Sequence, residues 1–424
     1  MTMLLRSGRI RGRGLVDILI EGEEITSIAS AGSIVVAGAE VHELDGRMVT
    51  TAFVEPHLHL DKSHLGSSAG GLAEAIARTA RLKRTFTADD VRARAARTLA
   101  AALRNGTTAV RAQTEVDPGV GLLGVDVMAE LAADLAGIMD VQIAVFPQEG
   151  VFSRPGTAEL MRAALRMPGT VVGGCPYSER DLDDARRHVD LVLDLAVEHG
   201  VPADLHLDLA DDPSDGRFAL SGYVAQATID RGLQGRVSIG HATTLAALDG
   251  AERQRVLAAL AEARVAVVLL PATDLFLIGR ADELNVRRGV APLTALWEAG
   301  VETALSSNNV RNAFTPTGTV DPLDIALLLA RVSHLSADAD FDRVLGMCTE
   351  AGHRILSPGA TAGLQPGDRA DLVVLDQTDD IPPVIEQAPR RLVVSHGRTV
   401  AEQTITRTLD PAVSRLTAFA TASA

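Results

Sequence analysis

The sequence predicts an α/β fold: a distorted (β/α)8, or TIM, barrel with a small β-sandwich domain built from both chain ends. Three observations carry that prediction. Between residues 51 and 355, apolar strand-like runs alternate with Ala/Leu/Arg-rich helical stretches. Residues 1–50 and 356–424 instead read as short strands and turns, a composite β-domain flanking the barrel domain. Four of the eleven histidines fall at the ends of strand-like runs.

The elements follow in order. Val16-Asp-Ile-Leu-Ile20 is apolar and β-branched, Glu21-Gly22-Glu23 is a turn, and a second run continues from Ile25 to Ile28. Near the other end, Leu372 to Leu375 follows the turn Pro366-Gly-Asp368, and Arg391-Leu-Val-Val-Ser395 precedes His396-Gly397. The candidate barrel strands are 52–57, 108–114, 141–147, 170–175, 202–207, 236–241, 264–270 and 302–307. Helical patterns lie between them at 87–104, 124–137, 180–199, 244–262 and 291–299. Eight such units in roughly 250–300 residues have the size and rhythm of a closed barrel. A doubly wound open sheet is disfavoured, since no Gly-x-Gly-x-x-Gly turn follows an early strand.

Composition narrows the function. The chain has 424 residues, enough for a large core, with 46% apolar and 22% charged residues, as in ordinary globular proteins. A net charge of -15 and 3% aromatic residues argue against a nucleic-acid partner, which needs a basic surface or stacking platforms. No run reaches about 18 apolar residues, so no membrane span is expected. The N-terminus is too quickly charged for a signal peptide, and two isolated cysteines, Cys175 and Cys348, suit a reducing compartment. A cytoplasmic protein is expected, acting on a small molecule, with a homo-oligomer as the expected assembly.

The chemistry is read from the histidines. If Phe53 to His57 is a strand, alternation puts His57 and His59 on one side. His206 ends the fifth run and His241 the sixth. In a barrel these C-terminal strand ends share one mouth, where the chemistry of this fold sits. Two imidazoles on one side of a strand end form half of a transition-metal site.

These residues resemble the amidohydrolase superfamily, and its cytosine-deaminase-like branch in particular. Phe53-Val-Glu-Pro-His-Leu-His-Leu-Asp-Lys62 is similar to that branch's first metal motif. Gly106-Thr-Thr-Ala-Val-Arg111, Phe146-Pro-Gln-Glu-Gly150, Val172-Gly-Gly174 before Pro176, and Gly367-Asp-Arg-Ala-Asp-Leu-Val-Val-Leu375 extend the likeness over nearly the whole chain. The resemblance implies one divalent metal ion, zinc or iron, on His57, His59 and His206. It also implies that His241 lies beside the metal and that Gln148 binds substrate.

Two positions depart from the family pattern. The strand-8 aspartate is replaced by Asn308, with Asn309 at the next acidic position, and an amide is not a base at neutral pH. The glutamate expected three residues after His206 is Leu209. Asp208, two residues after His206, is the first candidate for the missing acid–base group, since a strand would point both the same way. The expected catalytic set is thus His241 and Asp208, with Gln148, Asn308 and Asn309 toward the substrate. The expected function is a metal-dependent hydrolase cleaving a C–N bond of a small nitrogen heterocycle or cyclic amide, not a standard cytosine deaminase. The alternatives are the same metal site turned to cyclisation, dehydration or elimination, and an inactive binding protein.

Overall fold

The computed structural model describes residues 2–67, 70–359, 363–406 and 408–413. Among them, eight parallel strands run in sequence order: Phe53–Leu58, Thr107–Glu115, Asp140–Phe146, Thr170–Gly174, Ala203–Leu207, Val237–His241, Ala266–Leu269 and Thr303–Leu305. Each falls on one of the runs expected from sequence. Their side chains are almost wholly buried, as expected when a parallel sheet is covered on both faces.

The barrel is distorted at its seam. The last strand stops at Leu305, and closure onto the first relies on one backbone bridge, Leu58 to Asn308, with His59 N donating to Asn308 O at 2.7 Å. Side chains complete the joint. The buried Glu55 carboxylate accepts from Ser307 N at 2.7 Å, Ser307 Oγ at 2.6 Å and Ser306 Oγ. Ser306 Oγ in turn meets His57 N at 3.2 Å. The first and last strands are therefore stitched next to the histidine pair.

Several helices start where the chain supplies a side-chain cap. Thr87 accepts from Asp90 N at the start of Ala88–Arg104, and Asp181 from Asp184 N at the start of Leu182–His199, which ends at Gly200 in the left-handed region. The run 244–262 is not one helix. Thr243–Ala246 forms a 3-10 turn, and Gly250–Glu262 starts anew because Asp249 caps Glu252 N at 2.8 Å. The Asp-x-x-Glu spacing that marks this break is visible in the sequence.

Both termini build β-structure together. Strands Glu24–Ser30, Gly14–Glu21, Thr2–Ile10 and Glu40–Glu43 form one sheet. Arg398–Glu402, Arg390–Ser395, Leu372–Leu375 and Val49–Thr51 form another. Ile18 and Ile20 share a buried apolar cluster with Leu372, Val374 and Leu392, so residues from the two chain ends pack in one core. Only Ala52 separates Val49–Thr51 from the first barrel strand.

Candidate metal centre and cavity

The expected imidazoles converge at the C-terminal mouth of the barrel. His206 Nε2 lies 2.9 Å from both His57 Nε2 and His59 Nε2, and all three rings are buried. His57 Nδ1 faces Asp204 Oδ2 at 3.1 Å, which places a proton on Nδ1 and a lone pair on Nε2. Two facing ring nitrogens with lone pairs need a cation or proton between them. Burial pushes His57, His59 and His206 below their ordinary range, and His59 and His206 well below it, helped by the neighbouring imidazoles and Lys62. Buried, neutral imidazoles gathered around His206 therefore fit a divalent transition-metal ion, and His57, His206 and His241 offer ring nitrogens all within 4.8 Å of one another.

The strand backbone is shaped for this packing. A Cβ on Gly240 would stand 2.8 Å from His57 Cε1, so glycine lets the ring lie against the sixth strand. Asp208, His241, Ala242 and Asn308 all adopt positive φ without being glycine, clustering backbone strain at the ends of strands five, six and eight.

Two aspartates orient the rings from behind. Asp204 also accepts from Gln113 Nε2 and from Ser238 Oγ at 3.0 Å, with the buried Arg111 guanidinium 3.8 Å away. Burial opposes its ionisation, but His57 and Arg111 outweigh this and hold its carboxyl below the usual range. Asp274 Oδ1 meets His241 Nδ1 at 2.6 Å, leaving His241 Nε2 as the ring's other polar atom. Neither aspartate is singled out by the sequence reading, although Asp204 shares strand parity with His206. Asp61, next to the histidine pair, binds Glu115 N at 2.9 Å rather than an imidazole.

A small cavity opens on this centre, with His59, His206 and His241 in its wall. Gln148, Asn308 and Asn309 also line it. Leu72, Ile76, Leu209, Leu277 and Phe314 form an apolar side. No carboxylate lines it among the described residues. Asn308 Oδ1 is buried with no hydrogen-bond partner, an acceptor left for a bound ion, water or substrate. Cys175 also lines the cavity, but burial pushes its thiol up to about 12, which excludes a thiolate nucleophile.

Asp208 is not brought to the site, which corrects the expectation that it replaces the missing acid. Its φ of 53° ends the strand alternation, and its carboxylate turns outward. There it accepts from Leu220 N at 2.9 Å, Ser221 N at 3.0 Å and Ser221 Oγ at 2.5 Å, at the start of helix Ser221–Asp230. A second acidic group, Glu115, Asp117 and Glu149, surrounds the Lys83 ammonium, so that cation fills the place an ion would take.

The wall behind Gln148 is braced by Glu179. Its carboxylate accepts from His188 Nδ1 at 2.7 Å, Val151 N at 2.5 Å and Ser153 N at 2.8 Å. Gly150, at φ 86°, has room for no Cβ, because one would stand 2.9 Å from Glu179 Oε2. Burial raises the Glu179 pKa, but His188 and these donors outweigh it and hold the carboxyl at about 2. A depressed carboxyl contributes stability above its unfolded pKa and loses it as pH falls through the folded value. Stability should therefore drop by up to about 3 kcal/mol between roughly pH 4.5 and 2 from this group. Denaturant titrations at several pH values should show Glu179→Gln with a shallower loss over that window. An identical slope would show that the carboxylate carries no such load.

With the geometry in place, the comparisons are specific. Residues 65–401 match the amidohydrolase family, and the chain belongs to it, in its cytosine-deaminase-like branch. The structure of 5-methylcytosine deaminase from Klebsiella pneumoniae aligns with a TM-score of 0.90 at 28% identity, covering 97% of this chain and 100% of that one. N-isopropylammelide isopropylaminohydrolase from Burkholderia multivorans gives 0.84 at 31%, covering 95% and 98%. Pterin deaminase from Rhizobium rhizogenes is 29% identical over 370 residues, 84% of this chain and 81% of that one. The chain is a hydrolase of a metal-dependent family whose relatives act on C–N bonds of heterocycles. Among the described residues, no helix is long and apolar enough to cross a membrane.

Proposed function

We propose that this chain hydrolyses a C–N bond at an sp2 carbon of a small nitrogen heterocycle or cyclic amide, with one divalent ion, zinc or iron, on His57, His59 and His206. The observation that carries the reading is that His57 Nε2 and His59 Nε2 both meet His206 Nε2 at 2.9 Å, with His57, His206 and His241 offering ring nitrogens all within 4.8 Å of one another, beside a small cavity. An ion held there would lower the pKa of a water toward ~7 and polarise the reacting carbon. The chain's own residues do the rest. His241, oriented by Asp274, takes the proton of the attacking water at Nε2 and returns it to the leaving nitrogen. Gln148 and Asn309 hold the ring, and Asn308 Oδ1 accepts from the water or a ring N–H. Leu209 supplies no second proton carrier, which separates this site from a standard cytosine deaminase. The activities for which the relatives are named, on methylcytosine, alkylammelide and pterin, support a heterocyclic substrate. The buried, unpaired Cys175 and Cys348 are in keeping with a reducing compartment.

The test is product analysis on the zinc- and iron-loaded protein with amino- and alkylamino-substituted pyrimidines, triazines and pterins. Release of ammonia or an alkylamine, with one water added across the products, is expected. A product lighter than its substrate by one water, or no release across the panel, would overturn the hydrolytic reading.

A further inference from the structure

We propose that Lys62 and Asn312, neither of which lines the cavity, act as positioning residues that lock two cavity amides as hydrogen-bond donors, so that the site selects rings bearing two oxo groups. The inference rests on the proposed function only for where the substrate sits.

The first lock is Lys62. Its side chain is buried, and Nζ contacts Gln148 Oε1 and pairs with Glu115 Oε2 at 3.0 Å. An ammonium has donors and no acceptor, so the Gln148 atom facing it is the carbonyl oxygen. The NH2 end is then the end left for the cavity, and no described residue is bonded to it. Phe146 sits between this lock and the metal ligands, 5.3 Å from Lys62 Nζ and stacked on His206 at 4.1 Å.

The second lock is a relay. Asn312 Oδ1 accepts from Phe314 N at 2.9 Å and Thr315 N at 3.1 Å. Backbone N–H groups can only donate, so the Asn312 amide cannot flip. Its Nδ2 must then point the other way, and it donates to Asn309 Oδ1 at 2.7 Å and to Lys62 O at 3.3 Å. Asn309 is fixed in turn, with Nδ2 as its free end. The cavity thus receives one forced donor from the end of the third strand and another from beyond the eighth.

No described carboxylate lines the cavity to receive ring amino groups, and the one unpartnered buried amide oxygen in its described lining is Asn308 Oδ1. Two carbonyl oxygens on a ring would meet both donors, whereas two amino groups would set donor against donor. Each mismatched buried pair costs roughly tenfold in affinity.

The experiment compares uracil with 2,4-diaminopyrimidine, rings of like shape with opposite substituents. Binding to the zinc-loaded protein is measured by calorimetry at mildly alkaline pH, where both are neutral. Wild type should favour uracil by about a hundredfold. Lys62→Met frees the Gln148 amide to turn, and the ratio should fall about tenfold. Asn312→Asp keeps an acceptor for Phe314 and Thr315 but offers an oxygen to Asn309, turning that carbonyl toward the cavity; the ratio should again fall at least tenfold. If Lys62→Met fails to melt cooperatively, Asn312→Asp decides. Equal binding by wild type, no binding of either ring, or an unchanged ratio in folded variants overturns the proposal. A chain that keeps this preference yet hydrolyses nothing defeats the functional reading alone; a hydrolase that binds both rings equally defeats this one alone.

Discussion

Alanine at position 206 should empty the metal centre. His206 Nε2 lies 2.9 Å from the ring nitrogens of both His57 and His59, so its loss opens the ligand set at its middle. Two imidazoles from one strand remain, and no described carboxylate in the cavity wall can substitute. Loss of partners one step further out already costs ~10–100-fold in metal affinity, and loss of a ligand should cost more. Elemental analysis after dialysis should find about one ion per chain in wild type and less than about a tenth of that in His206→Ala. The variant should still melt cooperatively, since the apolar residues of the main cluster, Leu205 and Leu207 beside it included, are left in place. Equal occupancy in both proteins would show that the ion sits on other residues.

The native chain should be a poor cytosine deaminase, and restoring two acids should improve it. Leu209 packs with Phe146, Tyr177, Leu277 and Phe314, where no proton can be carried. Asn308 presents a neutral oxygen at the place of the family's aspartate. Each proton-transfer group typically supplies ~10²–10⁴-fold in rate. Leu209→Glu combined with Asn308→Asp should therefore raise ammonia release from cytosine by at least ~10²-fold over wild type. Wild-type release at a rate of order 10 s⁻¹ would overturn the argument, and would mean that His241 with Asp274 suffices.

Much of this architecture was legible in the chain. Strands stand out as apolar runs bounded by turns, and strand parity alone puts His57 and His59 on one side. The helix count was less legible. A short piece such as Pro271–Leu277, seven residues long, carries too few turns for a clear period. Asp208 was misread because alternation holds only while φ stays negative, and the chain turns at that residue. Asp274 and Lys62 were missed for another reason. Their partners, His241 and Gln148, lie 33 and 86 residues away, and only the closed barrel brings them together. Nothing local marks an aspartate after the seventh strand as the support of a histidine on the sixth.

The pairing of Val49–Thr51 with Leu372–Leu375 also sets a timetable for biosynthesis. The early strand leaves the ribosome about 320 residues before its partner exists. At roughly 5–20 residues per second, that wait is tens of seconds. Throughout it, Ile18, Ile20 and Val49 lack the apolar surface of Leu372 and Val374 that later covers them. The nascent chain thus carries an unfinished sticky face for most of its translation, and holdase chaperones should engage it there until the last strands emerge.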